Sequence, residues 1–256
     1  MFGLVVMYEL LVLLFIGHAI NASDNQIFTT VRFGADNIAW DGKWTFLQEW
    51  KPTSLNQYGD LIVRTGHDYN NLYILLDYNS PTKLTKYSDS GIVCINANIT
   101  KEQNLNENDQ CFIVTLGSNH PITLKGGGKL ASTDYLKKVS SDPDLIAVGG
   151  ISDFNDRYSN IPHMSYEFKI PIKIINKTDS YRFFAGVYDS ANNRFYSWPN
   201  NQAAKIWPYV PASENWGELI SPDKSLPEFP IPAIGLLVSF SILIYLTRKS
   251  LNRISI

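Results

Sequence analysis

The side chains best suited to chemistry lie between positions 194 and 216, where large aromatic rings alternate with amides and charges. Pro199, Pro208 and Pro211 mark much of this segment as loop, and loops carry binding residues more often than strands do. Sugar binding needs a flat aromatic face for the apolar side of a pyranose and polar groups for its hydroxyls. The candidate ligand-binding residues are Trp198, Trp207, Trp216, Arg194, Asn200 and Asn201. The alternative is that these tryptophans are packing residues that close the domain.

A second group has the oxygen atoms that calcium prefers. It occupies one loop and consists of Asn104, Asn106, Glu107 and Asp109. Asp153, Asn155 and Asp156 crowd another loop, and neither segment follows the EF-hand pattern. We expect calcium, if it binds, at the first loop. The alternative for each loop is a solvated polar turn.

The two cysteines, Cys94 and Cys111, each lie in a run of β-branched and aromatic residues. An even number of cysteines in an exported chain favours a disulfide. If the two runs pair or face each other, the bridge closes the polar loop between them, which is worth roughly 3 kcal/mol in the chain-entropy model. Two free buried thiols are the alternative.

Haem is the rival ligand, since it needs axial histidine or methionine side chains that face a pocket. The region between the two apolar ends contains His67, His120, His163 and Met164. Neighbours 163 and 164 point to opposite faces of a strand, so His67 or His120 would have to pair with Met164. No C-x-x-C-H attachment motif is present.

These candidates must be positioned by strands. The 256 residues are 45% hydrophobic with a net charge of −2, which excludes a disordered chain and argues against a basic nucleic-acid-binding protein. Short apolar runs recur between turn residues, and in Tyr166–Ile170 apolar residues alternate with Glu167 and Lys169, which predicts one apolar and one wet face. We therefore predict an all-β protein, an antiparallel β-sandwich of the jelly-roll type, over residues 23–220.

The two ends predict export and anchoring. Residues 1–22 have an apolar run followed by small residues, as a signal peptide does, although no Lys or Arg precedes the run. Residues 231–247 carry no charge and are just long enough for a transmembrane helix, and the basic tail 248–256 would remain cytoplasmic. The alternatives are an uncleaved N-terminal anchor and a C-terminal core helix. The predicted location is the cell surface, with the domain outside and held at the membrane.

Five segments resemble family 9 carbohydrate-binding modules and the related DOMON-like sandwiches, in the same order along the chain. They are Asp41-Gly42-Lys43-Trp44 with Glu49-Trp50, the hairpin 67–76, Asp109-Gln110-Cys111-Phe112, the strand 166–172, and Trp198-Pro199 with residues 215–219. The resemblance implies a β-sandwich that binds a ligand without catalysis, and calcium is common in such modules. These sandwiches also carry haem or purely structural roles.

The chain departs from the family pattern in two places. Tyr69 stands where the family hairpin usually has glycine, so we expect Asn70 and Asn71 to supply the turn. The segment 117–141 has no counterpart in the pattern.

The C-terminal region resembles another known signal. Pro227-Glu228-Phe229-Pro230, in the linker 221–230, precedes the apolar helix and the basic cluster. This arrangement resembles the PEF-type C-terminal sorting signals of archaeal surface proteins, and it implies that a sortase-like membrane enzyme cuts near the motif.

Together these observations predict a non-catalytic, cell-surface carbohydrate-binding module that contacts a glycan and the membrane but no nucleic acid. A haem-binding DOMON-like redox protein and a structural envelope protein are the alternatives.

Overall fold

The computed structural model describes residues 26–31, 38–80, 83–99, 104–130, 133–153, 156–199 and 210–221. Within these ranges the regular secondary structure consists of strands, apart from one helical turn at Ile172–Ile175 and a short 3-10 turn at Ser213–Asn215. The strands are β1 (Gln26–Phe28), β2 (Thr30–Val31), β3 (Ser54–Tyr58), β4 (Leu61–His67), β5 (Asn71–Tyr78), β6 (Ser90–Asn96), β7 (Gln110–Thr115), β8 (Ile122–Leu130), β9 (Thr133–Val139), β10 (Ile146–Ile151), β11 (Met164–Pro171), β12 (Ser180–Asp189), β13 (Arg194–Trp198) and β14 (Gly217–Ile220). The predicted all-β class is confirmed.

The strands form two sheets. The first has the order β1-β14-β12-β6-β7-β8-β9, with β13 also paired to β12, and the second has the order β10-β11-β5-β4-β2, with β3 also paired to β4. Neighbouring strands are antiparallel except for β1 with β14 and β2 with β4. The segment without a family counterpart forms the hairpin β8–β9, which extends one edge of the first sheet.

The two sheets face each other across a shared apolar core. On β5, Leu72, Ile74 and Leu76 point into this core, and on β6 Val93 and Ile95 meet them from the other sheet. The alternate residues of both strands are buried as well, because each sheet is covered on its outer face. Strands buried on both faces read as continuous apolar runs rather than as alternating ones.

The segment 38–53 covers the outer face of the second sheet. Trp44 and Trp50 pack there on Tyr73 and Leu75. This cover overturns the prediction of a wet face on β11, because Glu167 is completely buried beneath it. A single pattern of alternation shows which residues share a face, but not whether another segment of the chain covers that face.

The outer face of the first sheet is covered too. A cluster of Ile92, Cys94, Cys111, Phe184 and Trp216 lies there, against the segment that begins at position 210. Cys94 lies opposite Cys111 on the adjacent strands β6 and β7, and the two form the predicted disulfide.

Among the described residues, no helix is both long and apolar enough to cross a membrane. The predicted signal peptide 1–22, the Pro-Glu-Phe motif, the helix 231–247 and the tail 248–256 all lie outside the described residues.

Candidate functional site

Two of the three predicted stacking tryptophans are buried. Trp198 is 1% exposed and Trp216 is 3% exposed, so neither indole has a face free for a sugar. Trp198 lies in the core between the sheets, where its ring contacts Tyr58 and Phe183. The prediction that these two rings stack on a ligand is therefore wrong, and they close the sandwich instead.

Two contacts stabilise the buried position of Trp216. Its ring stacks against Phe184 with the centroids 6.4 Å apart, and its Nε1 donates a hydrogen bond of 2.9 Å to the carbonyl oxygen of Pro211. A buried indole usually finds such a partner for its N–H. The segment that begins at position 210 thus covers part of the outer face of the first sheet.

The other residues predicted in this segment remain candidates. Arg194 is exposed at the start of β13. Trp207, Asn200 and Asn201 lie outside the described residues. Their predicted role in ligand binding stays a prediction.

The predicted calcium loop is held by hydrogen bonds between its own groups and β6. Asp109 is buried, and its two carboxylate oxygens accept hydrogen bonds from the Asn96 side chain at 2.8 Å and the Asn106 amide at 2.6 Å. The Asn106 side chain accepts a hydrogen bond from the Asn108 amide. Asn104 and Glu107 are exposed. These bonds account for the shape of the loop, and calcium binding there stays a prediction.

His67 and Met164, one of the predicted pairs of haem ligands, lie too far apart to bind one iron. On β5, Leu72 lies opposite His67 and Tyr78 lies opposite Met164. Six residues along a strand separate these positions by about 20 Å, so the two side chains cannot ligate one iron. His120 is exposed whereas Met164 is completely buried in the core between the sheets.

A cleft opens at the end of the sandwich where β4, β12 and β14 meet the hairpin turn at position 69. It encloses about 40 Å³, and its wall is mostly apolar. Leu72, Ile172 and Leu219 form this wall. The groups around them that can donate or accept hydrogen bonds are Thr29, His67, Tyr69, Lys177, Thr178, Asp179, Tyr181 and Ser221.

Tyr69 holds its ring at the lip of this cleft in an uncommon backbone conformation. Its φ is 67°, in the left-handed region, and its side chain is 49% exposed. Asn70 and Asn71 follow Tyr69 in the turn, but neither is among the described residues with positive φ, so Tyr69 itself adopts the left-handed conformation. A bulky residue in the left-handed region costs about 1–2 kcal/mol, and Tyr69 combines this cost with a position at the cleft.

Asp68 stabilises the turn that carries the Tyr69 ring. Its carboxylate accepts hydrogen bonds from the Asn70 and Asn71 amides at 3.1 and 2.8 Å, and from the Tyr73 hydroxyl at 2.5 Å. Partial burial opposes ionisation of this carboxyl group, but the hydrogen bonds outweigh it and lower the pKa of Asp68. The turn is therefore anchored by an ionised carboxylate.

Other side chains surround the Tyr69 ring. The His67 ring lies edge-on to it, with the centroids 5.4 Å apart, and the Lys177 ammonium nitrogen lies 6.0 Å from its centroid. His67 Nε2 is 3.2 Å from the Ser221 hydroxyl, which links β4 to the end of β14. The cleft thus combines a half-exposed ring with a cation, an imidazole and hydroxyl groups.

The sequence contained a signal for this site. Tyr69 departs from the glycine that the family hairpin usually has, but its backbone conformation and its neighbours across the cleft depend on contacts between strands distant in the chain. Only the fold brings Lys177 and Ser221 beside it.

Among the described residues, Asp77, Asp156 and His163 bring together ligand atoms that could hold a cation, and these atoms all lie within 4.8 Å of one another. Burial raises the pKa of Asp77, although His163 beside it acts in the opposite sense. Of these three, the sequence singled out Asp156 as a possible calcium ligand and His163 as a possible haem ligand.

No protein-family model matches the chain, and no curated protein matches it. Two similar solved structures are family 9 carbohydrate-binding modules from Caldicellulosiruptor kristjanssonii, each 13% identical to this chain. The complex with cellotriose covers 80% of this chain and 100% of its own, with a TM-score of 0.48. The complex with glucose covers 77% and 95%, with a TM-score of 0.49.

Proposed function

We propose that this protein is a non-catalytic carbohydrate-binding module that holds a glycan at the Tyr69 cleft. The observation that carries the proposal is the Tyr69 ring, which is half-exposed at the lip of the cleft in a strained backbone conformation. An aromatic face binds the apolar side of a pyranose, and the polar groups at the rim can bind its hydroxyls.

The size of the cleft limits what it binds. A cavity of about 40 Å³ has no room for a whole sugar ring, so the ligand rests against Tyr69 and places one edge in the cleft. Such an open contact leaves several hydroxyls hydrated. We therefore expect weak binding of single sugars and tighter binding of chains that contact the rim at several points.

The proposed location is the outer face of a membrane. The apolar ends 1–22 and 231–247, the basic tail 248–256 and the Pro-Glu-Phe motif support export, anchoring and cleavage by a sortase-like enzyme. The disulfide between Cys94 and Cys111 fits an oxidising compartment outside the cytosol. In this arrangement the cleft faces the extracellular polymers.

The test is a glycan array followed by calorimetry, using the full-length chain in a detergent that has no sugar headgroup. Tyr69→Gly removes the ring and also relieves the backbone strain, because glycine adopts positive φ readily. We expect at least a tenfold loss of affinity, about 1.4 kcal/mol, while the free energy of unfolding stays equal or rises by up to about 1 kcal/mol.

Tyr87→Gly is the matched control. Tyr87 is also an exposed tyrosine in the left-handed region, with a φ of 63°, but it lies outside the cleft. It should keep full binding. If Trp207→Ala abolishes binding while Tyr69→Gly leaves it unchanged, the ligand binds at the segment carrying Trp207, Asn200 and Asn201, and the Tyr69 assignment is wrong. An array on which the wild-type chain retains no glycan overturns the proposed function itself.

A further inference from the structure

Three ionisable side chains meet on the covered outer face of the second sheet. Asp77 lies on β5, His163 directly precedes β11, and Asp156 comes from the loop before it. His163 Nε2 contacts Asp77 Oδ1 and lies 3.8 Å from Asp156 Oδ1. The side chains are 1% exposed or less, so water cannot satisfy them.

The hydrogen bonds of His163 determine which ring nitrogen carries a proton. Its Nδ1 lies 2.8 Å from the Ser152 hydroxyl, which can donate or accept, and 2.7 Å from the carbonyl oxygen of Ile161, which can only accept. Nδ1 is therefore the donor, and in the neutral ring Nε2 presents a lone pair toward the two carboxylates. Three electron-rich groups then converge on one point, where either a proton or a metal ion relieves their mutual repulsion.

The polar atoms at this point have no other hydrogen-bond partner. Both carboxylate oxygens of Asp77 and Nε2 of His163 are buried without one, and so is the hydroxyl of Ser165, which lies opposite Asp77 on β11. Leaving a buried charged group unpaired costs several kcal/mol. The second carboxylate oxygen of Asp77, Oδ2, thus lacks even the contact with His163 that Oδ1 has, and it is buried in the cluster.

The neighbouring cation is engaged elsewhere. Arg64 is buried, its Nε donates to the Tyr158 hydroxyl, and its Nη1 donates to the carbonyl oxygens of Trp50 and Thr53. These acceptors are all uncharged groups, and the described residues show no ion pair between Arg64 and Asp77.

We propose that Asp77, Asp156 and His163 bind one divalent transition-metal ion. Mixed imidazole and carboxylate ligands suit zinc and its neighbours better than calcium or magnesium, which prefer oxygen alone. The bond from Nδ1 to the Ile161 carbonyl is the outer contact that metal-binding histidines usually make, and it leaves Nε2 free for the ion.

Binding requires a small adjustment. Zinc holds nitrogen and oxygen ligands at about 2.0–2.2 Å, which places the ligand atoms roughly 3–3.5 Å from one another. His163 Nε2 and Asp77 Oδ1 must move apart, and Asp156 must move closer. The ion would then tie β5 to the loop that precedes β11, on the sheet opposite the disulfide.

The test uses the full-length chain carrying a purification tag without histidine, stripped with EDTA and dialysed against Zn²⁺. We expect mass spectrometry of the metal content to find one zinc per chain, and thermal unfolding to occur at higher temperature with zinc than with EDTA. Asp77→Asn and His163→Gln should lose both effects. Asp60→Asn and His120→Gln are the matched controls, because they change an exposed aspartate and an exposed histidine away from the cluster, and should keep both.

Substitution of Co²⁺ into the wild-type chain gives a second readout that needs no variant to fold. Visible absorption bands that disappear with EDTA or excess Zn²⁺ support the site. If the wild-type chain retains no zinc and shows neither a zinc-dependent melting temperature nor cobalt bands, a proton holds His163 and Asp77 together and the proposal is wrong. Calcium binding that survives in His163→Gln, with no zinc binding in the wild type, also overturns it.

Discussion

At the residue scale, the hairpin turn at position 69 depends on a short chain of polar contacts. Tyr73 donates its hydroxyl hydrogen to Asp68, and Asp68 fixes the amides that follow Tyr69. The Tyr73 ring itself is buried under the segment 38–53. The Asp68 carboxylate thus positions the exposed Tyr69 ring, and Asp68 is in turn held by Tyr73, whose ring is fixed beneath the segment 38–53.

Removing the Tyr73 hydroxyl should raise the pKa of Asp68. In the wild type, hydrogen bonding keeps this pKa below its ordinary value of 3.8, despite the opposing effect of burial. Tyr73→Phe removes one donor to the carboxylate and keeps the ring, so the pKa should move upward. A carbon-detected NMR titration of the Asp68 carboxyl group measures the change, and an unchanged midpoint would contradict the role of Tyr73.

The same pKa has a consequence for stability. A carboxyl group whose pKa is lower in the folded than in the unfolded state stabilises the fold above its unfolded pKa, and this contribution is lost as the pH falls through the folded value. The loss for Asp68 therefore lies below about pH 3.8. Asp68→Asn should lose less stability than the wild type over this acid range.

At the scale of elements, the backbone of the segment 38–53 lies directly against the second sheet. Asp41 and Gly42 donate their amide hydrogens to the Glu167 carboxylate, and the Trp50 indole donates to its other oxygen. Gly42 also lies against Gly150 of β10, so closely that a methyl group at position 42 would be 2.2 Å from the Gly150 nitrogen. Two distant parts of the family-like pattern therefore form one buried contact.

The substitution Gly42→Ala should cost more than Gly59→Ala. Both glycines have positive φ, at 83° and 61°, but a methyl group at position 59 would have no neighbour within 4 Å. We expect about 1–2 kcal/mol for Gly59→Ala from the backbone alone, and a further 1–3 kcal/mol, roughly, for Gly42→Ala from crowding. Urea unfolding of both variants measures the difference, and equal losses would mean that the segment shifts away from β10 at little cost.

At the scale of the whole molecule, the described part of the sandwich contains a stack of three apolar clusters. One lies between the sheets and one on each outer face. The disulfide belongs to the outer cluster of the first sheet, and both of its cysteines are completely buried. It joins neighbouring strands and closes the loop between them.

Reduction of the disulfide should lower the free energy of unfolding by roughly 3 kcal/mol in the chain-entropy model. The loop it closes has a sequence separation of 17 residues. Urea unfolding of the oxidised and the reduced chain measures the effect without any substitution. The double variant Cys94→Ala/Cys111→Ala serves as a control, because the reductant should not affect it. An unchanged midpoint in the wild type would show that the bridge constrains little beyond the sheet itself.

Local patterns in the sequence were sufficient for the class of fold and for the disulfide. A strand is recognisable from a few consecutive residues, because its side chains alternate and its ends carry turn residues. The two cysteines lie in such runs, and only one pairing was available. The fold class depends on information held within short stretches of the chain, and the disulfide prediction depends in addition on the predicted export.

The tertiary structure decided which surfaces are covered and which groups meet. Trp198, Trp216 and Glu167 are buried because distant segments lie over them, and no local pattern specifies that cover. Tyr69 faces a cleft, and Asp77 meets His163, only because strands far apart in sequence are neighbours in the sheets. The physical reason is that periodicity assigns a side chain to a face, whereas long-range packing determines what that face contacts.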